Sequence, residues 1–447
     1  MNYSATDIAE AVGGRVCEGT DSALCVRRAF TDSREIEDGG LFVAIKGARI
    51  DGHTFVSDML KNGCLALIDN AEYAMPGCII VDDTLSALER LAEHYRQTVI
   101  NGVTVIAVTG SVGKTGTKDM TALAVSAEKR VFKTPGNRNS NIGLPLSVLS
   151  VSPDDEVAVL EAGISSPDEM WRLSKVCCPD VAIVTNIGYS HIEAFGTREA
   201  IRDEKLQIIS YMRDGGCVIF NGDEPLLYGV IDKNHRRICC SVDNSGCCFK
   251  ASELSVCDSG ENFSVTAYGT EREVHLPVSG RHYVYDAMYA IAAASVVGVD
   301  IDKAIAALAS FVTEGNRQKI YRHGEQTFIA DYYNASPESM AAAIELLSRC
   351  EGRHIAVLGD MLELGNYSEE LHINVGKKCR ECGVDVLITI GDMSRKAANE
   401  SGITHFCFDE GAFAAVADKL KEIMQCGDTV LFKASNRMNL GEIIRLL

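Results

Sequence analysis

Residues 103–121, VTVIAVTGSVGKTGTKDMT, constrain the fold more than any other stretch. Val105, Ile106, Ala107 and Val108 read as a strand buried on both faces. Gly110-Ser111-Val112-Gly113 then turns the chain, and Lys114 and Thr115 open a helix. Strand, glycine-rich turn and helix in this order make a phosphate cradle, because backbone N–H groups and the positive helix end face the anion at close range. In that context Gly110, Ser111 and Gly113 supply the loop, Lys114 reaches the outer phosphates of ATP and Thr115 holds Mg²⁺. The loop is a short form: Val108 stands six residues before Lys114, where the usual P-loop has glycine.

Such a loop belongs to an α/β chain, and the remaining sequence alternates accordingly. Residues 1–82 read as a small mixed α/β domain, with a helix from Ala5 and strands at 41–45, 65–68 and 78–81. Its loops carry Ser33, Arg34, Lys46 and His53, residue types able to meet an anionic ligand. A helix at 84–99 leads into a second domain, 83–313. Strands at 157–160, 181–185 and 218–220 alternate there with helices at 167–176 and 197–212, the pattern of a largely parallel, covered sheet. Residues 238–278 turn polar, and strands at 264–268 and 273–276 predict a small antiparallel insert, followed by helices at 285–297 and 301–311. The pattern restarts near 313–317, giving a third, Rossmann-like domain at 314–447. Its strands at 327–330, 355–358, 386–390 and 429–432 alternate with helices at 337–348, 368–381 and 410–424.

Ligands of open α/β sheets sit beyond the carboxyl ends of the strands, and several polar residues fall there. Glu161 ends a buried strand and has the oxygen chemistry Mg²⁺ prefers. His191 follows the next strand on the same edge. Asp331 follows a third-domain strand and is placed for ribose hydroxyls, while Arg317 lies in the connection between domains, within reach of phosphate across a cleft. Asp360 and Glu363 follow another third-domain strand, positioned to orient an amine or to cap a turn. By pattern alone Lys205, beside Asp203 and Glu204 in a helix, is a surface residue.

With 447 residues, 46% hydrophobic and 23% charged, each domain can bury a core. A net charge of -19 argues against a basic nucleic-acid-binding face, yet leaves room for an anionic substrate held by local cations and N–H groups. No apolar run approaches the ~20 residues of a membrane-spanning helix. The 17 cysteines show no regular spacing and the opening residues carry no signal pattern, so reduced thiols in a cytoplasmic protein are expected. Cys379 and Cys382, the one C-x-x-C, read as a buried helix face.

Taken together these motifs resemble the Mur ligases of bacterial cell-wall synthesis along nearly the whole chain. The resemblance rests on Thr31-Asp32-Ser33-Arg34 and Gly52-His53, the loop through Thr115, Gly136-Asn137, Asn141-Ile142-Gly143-Leu144-Pro145-Leu146, Glu161-Ala162-Gly163 and Thr185-Asn186-Ile187-Gly188. In the third domain it rests on Tyr333-Asn334-Ala335-Ser336-Pro337-Glu338-Ser339-Met340 and Gly359-Asp360-Met361-Leu362-Glu363-Leu364-Gly365, which resemble the member that adds D-alanyl-D-alanine to UDP-N-acetylmuramoyl-tripeptide. It implies a UDP-sugar domain, a central ATPase and a C-terminal domain for the incoming amine, in a monomeric enzyme using ATP and Mg²⁺. It also implies roles: Thr115, Glu161 and His191 as Mg²⁺ ligands, Lys205 as a carbamylated lysine holding a second Mg²⁺, and Asp286, Arg317 and Asp331 at the nucleotide. Ser33, Arg34 and His53 would lie near the UDP-sugar, with Asn334 and Asp360 toward the other substrates. Three departures stand out. Gly116 replaces the usual Thr, Tyr283 and Asp286 replace the two Asn of a His-Asn-x-x-Asn-Ala run, and Lys433-Ala434-Ser435-Asn436 replaces Lys-Gly-Ser-Arg. The alternatives are a sister ligase, such as a folylpolyglutamate-type enzyme with another amine, or a nucleotide-binding partner protein that has lost ligation.

Overall fold

The computed structural model describes residues 1–21, 24–231, 235–244, 246–257, 260–313, 315 and 317–447. Each of the three sequence segments builds its own main sheet. The first has the strand order Arg15–Val16, Cys78–Ile80, Leu65–Ile68, Gly40–Val43, Arg28–Phe30, parallel except for the first pair. Helix Thr84–Thr98 follows, started by Asp83, whose side chain accepts the Ser86 N–H. Its stripe of Leu88, Leu91, Ala92 and Tyr95 is buried in one continuous core with the first helix, Ala5–Val12, and the central sheet.

The central sheet has nine strands. Thr104–Thr109 lies between Val157–Glu161 and Val181–Val184, parallel to both. The strand order reverses beside it, which opens a crevice at the carboxyl ends. The antiparallel segment expected at 238–278 is present, but not as a separate insert. Arg236–Ser241 and Phe249–Cys257 continue the parallel order, and Gly260–Ala267 and Thr270–Leu276 extend it antiparallel. The helix expected at 197–212 is shorter: Arg198–Leu206 passes into a tight turn, Gln207–Ile209.

The third sheet has the order Lys319–His323, Gln326–Ala330, Thr429–Lys433, His354–Gly359, Val386–Ile390, Thr404–Phe408. Only the first pair is antiparallel. Four elements of this domain were not foreseen, the edge strands Lys319–His323 and Thr404–Phe408 and the helices Asp392–Ser401 and Gly441–Leu446. Glu314 and Asn316, at the expected second boundary, lie outside the described residues. Among the described residues no helix is long and apolar enough to cross a membrane, and no disulfide joins any of the 17 cysteines.

Candidate active site

Backbone geometry explains the loop's glycines. Gly110 has φ 149° and Gly113 φ 84°, conformations that strain any residue with a Cβ. A Cβ on Gly110 would lie 1.8 Å from Thr185 Oγ1, which donates to Val112 O at 2.6 Å. Asn186 Oδ1 accepts the N–H groups of Ser111 and Val112 at 3.2 and 3.0 Å, so the neighbouring strand end clamps the turn. Thr117 N donates to Gly113 O at 2.9 Å, closing the first helical turn and leaving the amides of Lys114, Thr115 and Gly116 to a ligand.

This loop faces a cleft of about 700 Å³ between the central and third sheets. Ser111, Gly113, Lys114 and Thr115 line it from the loop, Glu161, His191 and Asp286 from the rest of the central domain, and Arg317, Asp331 and Asn334 from beyond the boundary. The buried Glu161 carboxylate accepts from Thr115 Oγ1 at 3.0 Å and from Asn139 Nδ2 at 2.7 Å, and Lys118 Nζ stands 3.9 Å away. These hard oxygen donors beside the loop suit a divalent cation. Among the described residues, however, no group of three or more His, Cys, Asp or Glu side chains converges on one point, so a cation here would draw on the nucleotide's oxygens as well.

Lys205 is not the surface residue its helix pattern suggests. It is buried behind the loop, and its Nζ donates to Gly110 O at 3.0 Å, the carbonyl that also accepts Lys114 Nζ at 2.7 Å. Burial, reinforced by the Lys114 charge, holds the Lys205 amine well below the ordinary lysine range. Burial likewise lowers Lys114. His191, in a left-handed conformation at φ 64°, turns its Nδ1 to Glu363 Oε2 of the third domain at 2.5 Å. Its pKa falls through burial, partly offset by Glu363.

On the opposite wall Asp331 pairs with the buried Lys433 at 2.8 Å, and Lys433 also donates to Asn334 O at 3.0 Å. Arg317 stacks over the Tyr333 ring at 3.9 Å from its centroid. Asp286 is buried and accepts from Thr117 Oγ1 at 2.6 Å; burial pushes its carboxyl up to about 8.

Six expected residues do not line this cleft: Gly110 and Lys205 sit behind its wall, and Ser33, Arg34, His53 and Asp360 lie elsewhere. The Asp360 carboxylate accepts the N–H groups of Met393 and Ser394 at 3.3 and 2.7 Å, capping helix Asp392–Ser401. In the first domain Arg34 is exposed and pairs with Asp32 at 2.6 Å, with Ser33 between them. His53 is buried, with Nδ1 at 2.7 Å from Asp51 and Nε2 at 3.1 Å from Asp69, so both ring nitrogens are engaged within the domain. Conversely, Asn139, Asn186, Glu338 and Lys433 shape the cleft without having been singled out. All four stand within or beside quoted motifs, Asn139 between Asn137 and Asn141, Asn186 in Thr185-Asn186-Ile187-Gly188, Glu338 in the Tyr333 to Met340 run and Lys433 at the head of Lys433-Ala434-Ser435-Asn436.

Fold and cleft define a three-domain α/β protein of the nucleotide-phosphate-binding class, with its loop at the central sheet's switch point. Residues 108–294 match the Mur ligase middle domain and residues 316–436 the Mur ligase, glutamate ligase domain. The chain belongs to the Mur ligase family. It is 37% identical to the UDP-N-acetylmuramoyl-tripeptide–D-alanyl-D-alanine ligase of Bacillus subtilis, over 98% of this chain and 97% of that one. The Escherichia coli enzyme of the same name is 32% identical, over 93% and 92%. Among solved structures, MurF from Acinetobacter baumannii superposes with a TM-score of 0.93 at 28% identity, covering 100% of this chain and 98% of that one. MurF ligase from Thermotoga maritima in complex with ADP gives 0.85 at 28% identity, over 94% and 97%.

Proposed function

We infer that the protein is an ATP-dependent peptide ligase that joins D-alanyl-D-alanine to UDP-N-acetylmuramoyl-tripeptide in peptidoglycan precursor synthesis. The observation carrying this reading is the full-length similarity to ligases of that name, combined with a loop and cleft that retain Lys114, Thr115 and Glu161. A peptide carboxylate is a poor electrophile. Transfer of the γ-phosphoryl group of ATP makes an acyl phosphate, the dipeptide amine attacks it, and phosphate leaves. Lys114 and the loop amides stabilise charge on the transferring group. Thr115 and Glu161, with His191, would hold Mg²⁺, which supplies charge neutralisation at the phosphates. Lys205 is suited to carbamylation, because a buried amine held neutral is nucleophilic toward CO₂. Arg317, Asp331 and Asp286 serve the nucleotide, Asn334 and Asp360 the amine side, and Ser33, Arg34 and His53 the UDP-sugar end. We assign domains to 1–82, 83–313 and 314–447 accordingly. We also propose a cytoplasmic, monomeric enzyme; that one chain builds both walls of the cleft supports catalysis by a single copy.

The test is phosphate release from ATP with each acceptor in turn. Release requiring both UDP-N-acetylmuramoyl-tripeptide and D-alanyl-D-alanine is expected; release with a free amino acid in place of the dipeptide would refute the assignment.

A further inference from the structure

Three thiols gather behind the wall of the cleft. Cys239 lies in strand Arg236–Ser241, and Cys247 and Cys248 lead into the adjacent parallel strand, Phe249–Cys257. The register pairs Cys240 with Phe249 and Ser241 with Lys250, which sets Cys239 beside Cys248 one step earlier. Neighbouring strands run about 4.8 Å apart, so Cys248 lies within the Cα spacing a disulfide spans from Cys239, and Cys247 is its chain neighbour. Cys248 Sγ approaches Cys239 O at 3.7 Å. Cys247 Sγ rests on Gly222: a Cβ there would lie 2.1 Å from that sulfur and 3.4 Å from Cys239 Cβ. Cys247 and Cys248 thus both approach Cys239.

The trio is also graded and reachable. Cys248 is exposed, and Cys239 and Cys247 are half-buried. Its contact with Cys239 lowers the Cys247 thiol, with help from Ser241, while that same contact raises Cys239. Burial raises the thiols of Cys177, Cys217 and Cys379. The thiols back onto the nucleotide cleft. Asn221, before Gly222, lines the cleft, and Asp223, after it, accepts from Tyr285 of the cleft wall at 2.6 Å and from Val242 N at 2.6 Å.

We propose that Cys239, Cys247 and Cys248 form a dithiol oxidation site, at which a hydroperoxide converts Cys239 and Cys247 to a reversible disulfide that disturbs the nucleotide cleft. The Cys247 thiolate attacks a peroxide oxygen, the O–O bond breaks, and the departing hydroxide takes a proton and leaves as water. The Cys239 sulfur then attacks the resulting sulfenic acid, forming S–S and breaking S–O, and the Cys239 proton leaves with that hydroxide as a second water. Two thiols are oxidised by two electrons and one hydrogen peroxide is reduced to two waters. Cys248, set beside Cys239 by the register, is the second thiol able to exchange into the bridge.

The test treats the full-length protein with hydrogen peroxide, then maps peptides under non-reducing conditions. Cleavage after Arg237 and Lys250 and before Asp243 separates Cys239 from Cys247, so a bridge appears as two joined peptides. The joined species is expected to form first among the 17 cysteines. The KM for ATP should rise about 5-fold or more, and dithiothreitol should reverse both effects. Cys239→Ser and Cys247→Ser should each prevent the KM change while keeping the untreated activity. The proposal is overturned if Cys25 and Cys426, the exposed solitary thiols, oxidise while the 238–250 segment stays reduced, or if the bridge forms with KM unmoved. Peptide mapping does not depend on the ligase reading, whereas the KM readout rests on it, so the two can fail separately.

Discussion

Gly116 and Asp286 are one feature. In the sequence they are separate departures from the family pattern, 170 positions apart. In the structure a Cβ on Gly116 would stand 2.4 Å from Asp286 Oδ2, so the bare glycine is the space the carboxyl occupies. Thr117 Oγ1 holds the other oxygen, so the carboxyl cannot swing away without losing a buried bond. Gly116→Ala should therefore cost about 1–3 kcal/mol in urea unfolding, and in an Asp286→Ala background that cost should nearly vanish. Equal costs in both backgrounds would mean the two positions are independent. The proton on Asp286 makes a second prediction. In the unfolded chain the carboxyl ionises near 3.9, whereas burial raises it to about 8 in the folded protein. Between those values the folded chain keeps a proton that the unfolded chain has lost. Its contribution to stability is therefore present at low pH and falls as pH rises to about 8, by up to about 1.4 kcal/mol per unit. Urea midpoints across that range should decline more steeply for the wild type than for Asp286→Asn. Residue types at the loop were legible because glycine, lysine and threonine have fixed roles there. The burial of Lys205 was not, since its neighbours Asp203 and Glu204 are polar and the tertiary packing alone decides where its amine ends.

Elements with their own start signals could be read from the sequence, and elements whose signals come from afar could not. Helix Thr84–Thr98 carries Asp83 as its cap and an apolar stripe, and helix Pro337–Leu347 has Ser336 as cap and proline in its first turn. Both were found. Helix Asp392–Ser401 follows Gly391, which has no side chain to cap it; the cap is Asp360, from another strand end. Local pattern cannot reveal a cap supplied across the sheet. The same bond bears on Asp360 as a residue for the amine. Asp360→Ala should destabilise the protein by about 1–2 kcal/mol through the lost cap, seen as a lower unfolding midpoint. A raised KM for D-alanyl-D-alanine in Asp360→Asn would add a substrate role, whereas an unchanged KM would leave Asp360 as a cap alone. The strands Arg236–Ser241 and Phe249–Cys257 were missed for a related reason. Their polar residues suggest a surface insert, and only the pairing of Arg236–Ser241 with Cys217–Asn221, and of Phe249–Cys257 with Arg236–Ser241, draws them into the main sheet.

At the scale of the molecule, the sequence shows three modules but not how they meet, because the polar contacts between domains are single bonds without periodicity and the apolar ones join faces whose partners no local pattern names. The third domain is latched to the central one by a small set. Glu363 holds His191, its carbonyl accepts Glu193 N at 3.2 Å, and Tyr367 donates to Gly196 O at 3.2 Å. Glu338 accepts Tyr189 N at 2.9 Å, and the lack of a side chain on Gly188 admits its carboxylate. The first domain is tied on separately, through the apolar core around helix Thr84–Thr98 and through Arg138 to Glu35 at 2.8 Å, and its Ser33 and Arg34 stand away from the cleft. Positioning three substrates requires the domains to hold one arrangement during phosphoryl transfer and amine attack, so weakening the latch should shift the population toward an open form. A hydrogen bond to a charged group contributes about 1.5–3 kcal/mol, which for Glu338→Ala corresponds to roughly a 10- to 100-fold loss of the closed form. Small-angle scattering should show Glu338→Ala with a larger radius of gyration than the wild type, and phosphate release should slow at saturating substrate. Because Glu338 touches Tyr189 through a backbone N–H, replacing the Tyr189 side chain with Phe should leave this contact and the scattering profile unchanged. If Glu338→Ala scatters as the wild type does yet still loses turnover, the carboxylate acts on substrate in the cleft and not on the arrangement of domains.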